Sequence, residues 1–405
     1  MDRLPGIIDK AFPLPGRYRT ALPRDIAELS GFLTSNRAER GSSYLGRPAL
    51  LSAYLRYFMP WNIYRLVRLF CSLPLDLKPN DAVNDLGAGP LTLAASLWIS
   101  RPDLRNVPLE FRCLDKTAAV LEAGKKFFAA LIAALPPDEN GSGCVWTLRT
   151  IRGEIRKNGA LSAEIRGKPA ALSAAVNVYN ELYWNFSPMD FTGLELFAEK
   201  QARLLSSLTE SSGSVLVVEP GIPRSGEFVS LLRSGFLNEG RTLLYPCTHS
   251  GPCALPGGKG KWCHFSFDTQ DAPAELHKLS AAARLPKERA VLSFILAGAA
   301  SSEKPARQNP KAAGAAAKTP ARHDAGVFSE KPVKIRIISD SFPVGKGNAP
   351  GHAGSWGRYG CGESGLVLVT GSRERLETSP SGALEELPLA ADTVDAKSGA
   401  FIAKL

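Results

Sequence analysis

Between residues 81 and 218 the chain alternates short, wholly apolar runs with longer amphipathic ones. Residues 82–86 are an apolar run that ends in a glycine turn, and 92–99 read as the helix that follows. A second strand is expected over 109–114, ending at Asp115, then a helix near 118–135 and a third strand over 144–151. Residues 170–178 suit a central strand and 189–208 a long helix. The run 215–218 suits a short buried strand ending in Glu219, Pro220 and Gly221. Strands that alternate with helices of this length predict a parallel sheet covered on both faces.

The flanking segments have other rhythms. Residues 1–75 read as helices punctuated by proline: a short amphipathic piece at 26–33, then 49–73 with Leu50, Leu51, Tyr54, Leu55 and Phe58 at helical spacing. Pro60 is expected to break that run before a second helix at 63–73. Residues 299–332 are rich in Ala, Lys and Pro with almost no large apolar side chains, which predicts a disordered linker or insertion. A strand is expected over 333–339, a glycine-rich loop over 345–362 and a strand over 365–370; the acidic tail from 372 has no assignable pattern. The divisions are therefore a basic helical N-terminal region (1–80), an α/β domain (81–245), a cysteine-bearing element (246–298 and 333–371), the linker (299–332) and an unassigned tail (372–405).

Composition narrows the class. The chain has 405 residues, 44% apolar and 22% charged, and is long enough for two domains. It has no uncharged apolar run long enough to span a bilayer, and its first residues lack the apolar core of a secretory signal. Seven cysteines without an export signal point to a reducing cytoplasm and not to a disulfide framework. Net charge is +10, and residues 1–80 hold twelve Lys/Arg against six Asp/Glu. There Tyr18, Tyr44, Tyr54, Tyr57, Phe58, Trp61 and Tyr64 interleave with Arg17, Arg19, Arg37, Arg40, Arg47, Arg56, Arg65 and Arg68. Arginine with aromatics suits phosphate contact and base stacking. It equally suits a helical core with a solvated arginine face, and pattern alone slightly favours that second reading.

Two places carry candidate chemistry. Asp85, Leu86, Gly87, Ala88, Gly89 and Pro90 sit at a strand-to-helix turn, where glycines let backbone approach a ligand. Asp115 ends the next strand, where an acid can accept hydrogen bonds from ribose hydroxyls. Asn177, Asn180 and Glu181 follow the central strand, on the side where open α/β sheets bind ligands. S-adenosylmethionine fits at least as well as NAD, because Leu91 stands where a dinucleotide fingerprint has its third glycine. The cofactor-binding candidates are Asp85, Gly87, Gly89, Asp115, Asn180 and Glu181; no catalytic residue can be singled out.

The second place is the loop after residue 245. Cys247, Cys253 and Cys263 fall within seventeen residues among Gly, Pro and Lys, a composition that cannot form its own apolar core. Clustered thiolates of this kind suggest a metal centre. The spacing is neither the tight pair of a zinc ribbon nor a ferredoxin run, so zinc and an iron–sulfur cluster both remain open. A fourth ligand could be His249, His264 or the distant Cys361. Cys71, Cys113 and Cys144 lie in apolar runs and read as core residues.

The strings VVEPGIPRSGE, YPCTHSGPC and KWCHF, with a late glycine-flanked cysteine, resemble the methyltransferase-like small-ribosomal-subunit assembly family of bacteria and mitochondria. SNRAERGSSYLGRPALLSAYLRYFMPWNIYRLVRLF looks like that family's helical lead-in, and the resemblance runs from about residue 30 to 370. It implies a class I methyltransferase-like (Rossmann-like) α/β sheet with an N-terminal helical region and a C-terminal cysteine-ligated cluster element. It further implies a 4Fe–4S cluster on Cys247, Cys253, Cys263 and Cys361, an S-adenosylmethionine site at Asp85, Gly87, Gly89 and Asp115, and small-subunit rRNA as partner. The family's arginine-rich segment after WCHF is here FSFDTQDAPAE, which is acidic. Two functions follow: a methyltransferase acting on small-subunit rRNA, or a non-catalytic RNA-binding assembly factor whose cluster (or zinc site) is structural or iron-sensing. Basic residues of the N-terminal region, with Lys259 and Lys261, would supply phosphate contacts. A nicotinamide-linked oxidoreductase gives the cysteines no role. No oligomeric state is implied.

Overall fold

The computed structural model describes residues 1–34, 44–137, 144–184, 186–187, 190–255, 261–300, 332–344 and 356–405. Arg37, Arg40, Lys259, the linker except its ends and residues 345–355 of the expected glycine-rich loop lie outside them. The chain forms two compact units: Met1–Arg156 with Ala160–Val178 and Phe267–Ala290, and Lys157–Gly159 with Tyr179–Ser266 and Val291–Leu405.

The first unit opens with α1 (Leu4–Ala11), α2 (Gly16–Leu33), α3 (Pro48–Ala53) and α4 (Met59–Phe70). Its α/β part is β1 (Asp81–Leu86), α5 (Thr92–Ser100), β2 (Leu109–Asp115), α6 (Ala118–Ala134), β3 (Thr147–Arg152) and β4 (Ala170–Val176). The second unit continues with α7 (Tyr179–Tyr183), α8 (Phe191–Ser207), β5 (Thr209–Pro220), α9 (Pro223–Asn238), β6 (Arg241–Tyr245) and β7 (Phe265–Asp268). The chain then adds α10 (Ala274–Ala282) to the first unit and β8 (Arg289–Ala300) to the second. Last come β9 (Val333–Ile337), β10 (Phe342–Pro343), β11 (Trp356–Gly362), β12 (Gly365–Gly371), α11 (Arg373–Glu377), β13 (Leu384–Leu387), β14 (Leu389–Val394) and β15 (Phe401–Lys404).

Pro60 does not break the N-terminal helix. A π-helical turn, Tyr54–Phe58, joins α3 to α4, and Pro60 falls in the first turn of α4. The widened turn already departs from the regular hydrogen-bond ladder, which is where a residue lacking N–H is tolerated. The aromatics of this region are core. Tyr57, Trp61 and Tyr64 pack with Leu22, Ile26 and Leu29 of α2 and with Leu276 of α10. Tyr57 Oη donates to Leu285 O at 2.9 Å and Tyr64 Oη to Asp268 O at 2.6 Å. Arg56 is buried too and pairs with Asp9 at 3.3 Å. Of the aromatics read as stacking candidates, Tyr18 stands out as exposed, at 50%.

Strands of the first unit follow the order β3-β2-β1-β4, all parallel, with Val83 level with Phe111 and with Leu172. β1, β2 and β4 are buried along almost their whole length, as expected where both faces are covered, whereas β3 at the edge is half-exposed. The second unit departs from that expectation. Its β8 lies between β5 and β6 and runs antiparallel to both, with Val217 level with Ile295. The helical crossover α9 makes β6 parallel to β5, and β8 then inserts between them from the opposite direction. Together these features make a class I methyltransferase-like α/β fold.

Residues 333–405 build a second sheet. The order is β13-β9-β11-β12-β15-β14, with β12 and β15 parallel and every other pair antiparallel. Because β13 and β14 are separated by Pro388 alone, they act as one bent strand that pairs β9 with its first half and β15 with its second. The path therefore closes into a five-stranded barrel with the connectivity of an OB-fold. Its interior is Ile335, Ile337, Val367, Val369, Leu376 and Ala403. Two features were misread from sequence. Trp356–Gly362 is a strand, because its glycines serve close approach: a Cβ on Gly360 would lie 2.4 Å from Ile335. The acidic tail is the bent closing strand and β15.

Candidate functional site

In the first unit, β1, β2 and β4 end at one edge of the parallel sheet and deliver Asp85, Asp115 and Asn177 there. Asp85 is 1% exposed, and neither carboxylate oxygen has a hydrogen-bond partner. Burial, and then the nearby Asp115 charge, push its carboxyl up to about 8. Asp115 organises the turn: Oδ2 accepts from Gly89 N at 3.0 Å and Oδ1 from Thr117 N at 2.8 Å. Asn177 directly follows β4, with φ +54°.

The two motif glycines do different work. Gly87 has φ +77°, and a Cβ there would lie 2.4 Å from Val178, so packing requires glycine. Gly89 has φ +54° and nothing within 4 Å of its would-be Cβ, so it faces open space. Leu91, at the missing third glycine, is buried in the left-handed conformation and lies against Gly124 of α6. The N–H groups of Gly87 and Ala88 both go to Leu114 O, at 2.8 and 2.9 Å. With Gly89 N on Asp115, three turn amides are already engaged, which disfavours a pyrophosphate cradle and hence a dinucleotide.

Asn180 and Glu181 belong to the second unit, on α7. Glu219, at the end of β5 and fully buried, accepts from Tyr179 N at 2.8 Å and Asn180 N at 3.0 Å. It thus caps α7, a structural task the sequence reading did not assign to it. Structure therefore gathers Asp85, Gly87, Gly89 and Asp115 in one place and puts Asn180 and Glu181 on a separate, Glu219-capped turn of helix.

The cysteine element lies within the second unit. Cys247 and Cys253 follow β6, Cys263 precedes β7, and Cys361 sits in β11. All seven cysteines are free. Burial pushes the Cys247, Cys263 and Cys361 thiols up. Cys263 is raised further by Cys247, Cys253 and Cys361, and Cys361 by Cys253 and Cys247, so the four sulfurs lie within electrostatic reach of one another. Among the described residues no three His, Cys, Asp or Glu side chains close around a single metal ion.

The two histidines separate. His249 Nε2 lies 3.8 Å from Cys361 Sγ, its Nδ1 is buried without a partner, and burial with Arg233 nearby brings it down to about 4. His264 is turned away, its Nδ1 3.0 Å from Trp262 O and its ring stacked on Trp262. Trp262 itself donates from Nε1 to Gly221 O at 3.1 Å, and a Cβ on Gly226 would meet it at 2.7 Å. The glycines of EPGIPRSGE and the tryptophan of KWCHF are thus one packing unit.

Arg233, in α9, was not anticipated from sequence. It is 2% exposed and donates from Nε to Cys247 Sγ at 3.3 Å and from Nη2 to His249 O and Gly251 O at 2.9 and 2.6 Å. Arg336 of β9 is also buried, donates from Nε to Pro246 O at 3.1 Å and lies over the Tyr245 ring. An arginine in a helix otherwise buried on that face was the available signal.

Residues 146–323, a little under half of the chain, match the family described as mitochondrial small ribosomal subunit Rsm22. That stretch holds EPGIPRSGE and three of the four cysteines, and the match agrees with the methyltransferase-like ribosomal assembly family read from the motifs. No curated protein matches the chain. Among solved structures, the chain is similar to precorrin-8W decarboxylase of Methanobacterium thermoautotrophicum, with 12% identity over 57% of this chain and 89% of that one, TM-score 0.31. It is similar also to the plantazolicin methyltransferase BpumL in complex with SAH, with 12% identity, 70% and 100% covered, TM-score 0.30. Precorrin-6Y C5,15-methyltransferase of Geobacter metallireducens gives 13% identity, 58% and 87% covered, TM-score 0.30. Among the described residues no helix is long and apolar enough to cross a membrane.

Proposed function

We propose that this chain, similar over 146–323 to the Rsm22 family, is a methyltransferase-like protein that works with the small ribosomal subunit and its RNA. In this reading it binds S-adenosylmethionine at the first unit's sheet edge and carries a 4Fe–4S cluster on Cys247, Cys253, Cys263 and Cys361. The observation that carries the reading is that four thiols separated by up to 114 positions lie within electrostatic reach of one another, three of them also of the buried Arg233.

The donor set fits such a group. A lone zinc ion would hold its sulfurs roughly 3.8 Å apart, given Zn–S near 2.3 Å. Four cysteines are the ligand set of a 4Fe–4S cluster, and a zinc ion on the same thiolates is the alternative. Reduced thiols throughout suit a reducing compartment, cytoplasm or mitochondrial matrix.

At the sheet edge, S-adenosylmethionine would supply an activated methyl group and two positive charges. The buried Asp85 carboxyl, without a partner, would meet the ammonium group, and Asp115 would accept from the ribose hydroxyls. Gly89 leaves room for close approach. One observation favours the non-catalytic alternative: Leu91 fills the third glycine position and packs the turn against Gly124. Titration calorimetry with S-adenosylmethionine, followed by a methyl-transfer assay on small-subunit precursors, separates the two. Binding with transfer makes the chain an enzyme, binding without it an assembly factor, and no binding overturns the cofactor assignment.

A further inference from the structure

We propose that Arg233 is the buried counter-cation of the four-cysteine centre, neutralising thiolate charge and raising the reduction potential of the cluster those thiolates hold. The proposal rests on the cluster reading above. Its ground is what surrounds the guanidinium. Arg233 is 2% exposed, and among the described residues no carboxylate pairs with it. Its acceptors are one sulfur and two carbonyls, and Nη1 is buried with no partner at all.

Three arginines buried elsewhere, Arg56, Arg112 and Arg241, have acceptors for their terminal nitrogens and keep only Nε without a partner. Arg112 pairs with Glu110 at 2.8 Å, and Arg56 pairs with Asp9 at 3.3 Å. Arg241 has no such anion, yet its two terminal nitrogens donate to five carbonyls, of Gly213, Gly298, Ser206, Thr209 and Glu210. Arg233 has neither solution. A buried cation left with a neutral thiol is strongly unfavourable, and an anionic centre beside it removes the penalty. Four thiolates on an iron–sulfur core are net negative, and one-electron reduction adds another negative charge. A fixed cation donating N–H to a ligand sulfur stabilises the reduced form more than the oxidised one. Net charge and hydrogen bonds to sulfur are among the terms that set such potentials.

The test uses the full chain, loaded anaerobically with ferrous iron and sulfide, as wild type, Arg233→Met, Arg233→Lys and the control Arg203→Met. Arg203 is an exposed residue of α8 paired with Glu239. Iron and sulfide per chain are measured, then the midpoint potential by titration with dithionite. Arg233→Met should make reduction at least tenfold less favourable, a downward shift of about 59 mV for one electron. Arg233→Lys should shift it less, and the control should match wild type. A loaded Met variant at the wild-type potential overturns the proposal. If the Met variant cannot hold iron, the Lys variant decides: retained iron supports the counter-charge. Loss in both with unchanged circular dichroism leaves Arg233 a merely geometric role and overturns it. Wild type that takes up no iron fails the cluster reading instead, a result distinguishable from all of these.

Discussion

The glycine-turn edge of the first unit and the cysteine element of the second present opposite electrostatic problems. At the first, a buried carboxyl, Asp85, has no cationic partner among the described residues and a second carboxylate, Asp115, as neighbour. At the second, a buried guanidinium, Arg233, has no carboxylate partner among the described residues and three thiols within electrostatic reach, those of Cys247, Cys263 and Cys361. Folded proteins seldom bury a charge without its complement, because the desolvation cost is several kcal/mol. Each place therefore states the sign of its missing partner: a cationic ligand at Asp85, an anionic centre at Arg233. S-adenosylmethionine and a thiolate-bound iron–sulfur cluster meet those two requirements.

The sharpest way to break the comparison is on the cysteine side. Cys361→Ser should release all bound iron, whereas His249→Ala should retain it; the reverse outcome would make His249 the fourth ligand. On the carboxyl side, Asp85→Asn should weaken S-adenosylmethionine binding by about a hundredfold, the usual scale for losing one charge-assisted contact in a buried site. For the unmodified protein, affinity should rise about tenfold per pH unit below about 8, because Asp85 must ionise to meet the cation. Calorimetry at several pH values reads this directly, and a flat profile would remove Asp85 from the contact.

Stability experiments follow at smaller scale. Gly87→Ala should cost about 3 kcal/mol, since a Cβ at 2.4 Å from Val178 adds to the strain of φ +77°. Asp85 also makes the ligand-free protein pH-sensitive. Its folded pKa is raised, so the folded state holds a proton that the unfolded state has released. The stability it contributes is complete below about pH 4 and is lost as pH rises to about 8. Asp85→Asn should flatten that slope and stabilise the protein by several kcal/mol at pH 8, read from denaturant midpoints. Gly89→Ala should cost only about 1 kcal/mol, because nothing stands within 4 Å and only the backbone preference is lost. An equal cost at Gly87 and Gly89 would contradict the division of labour drawn between them.

Much of this was legible in the chain. The parallel strands and their helices could be placed because continuous apolar runs and the DLGAGP turn have few alternative readings. Cys247, Cys253 and Cys263 stood out because the glycine- and proline-rich sequence around them could not be core, whereas Cys361 was singled out only by the family resemblance. Local pattern failed where long-range pairing decides. β8 reads as a buried strand in any orientation, so its antiparallel insertion is invisible from sequence. β11 looks like a loop because Gly360 and Gly362 are glycines for the sake of β9, 23 or more positions earlier. Tyr57 and Tyr64 suited base stacking or a helical core on pattern, with the core slightly favoured, and their hydroxyls donate to Leu285 O and Asp268 O, over two hundred positions away. Arg233 was hidden for the same reason, being one arginine in a helix whose neighbours arrive from elsewhere.

One measurement reaches the centre of the account: iron and acid-labile sulfide per chain in full-length protein purified without oxygen. About four of each, accompanied by a brown colour, is the predicted result. Protein that is colourless, or that carries one zinc in place of iron, would contradict it and return the four sulfurs and Arg233 to an unexplained cluster.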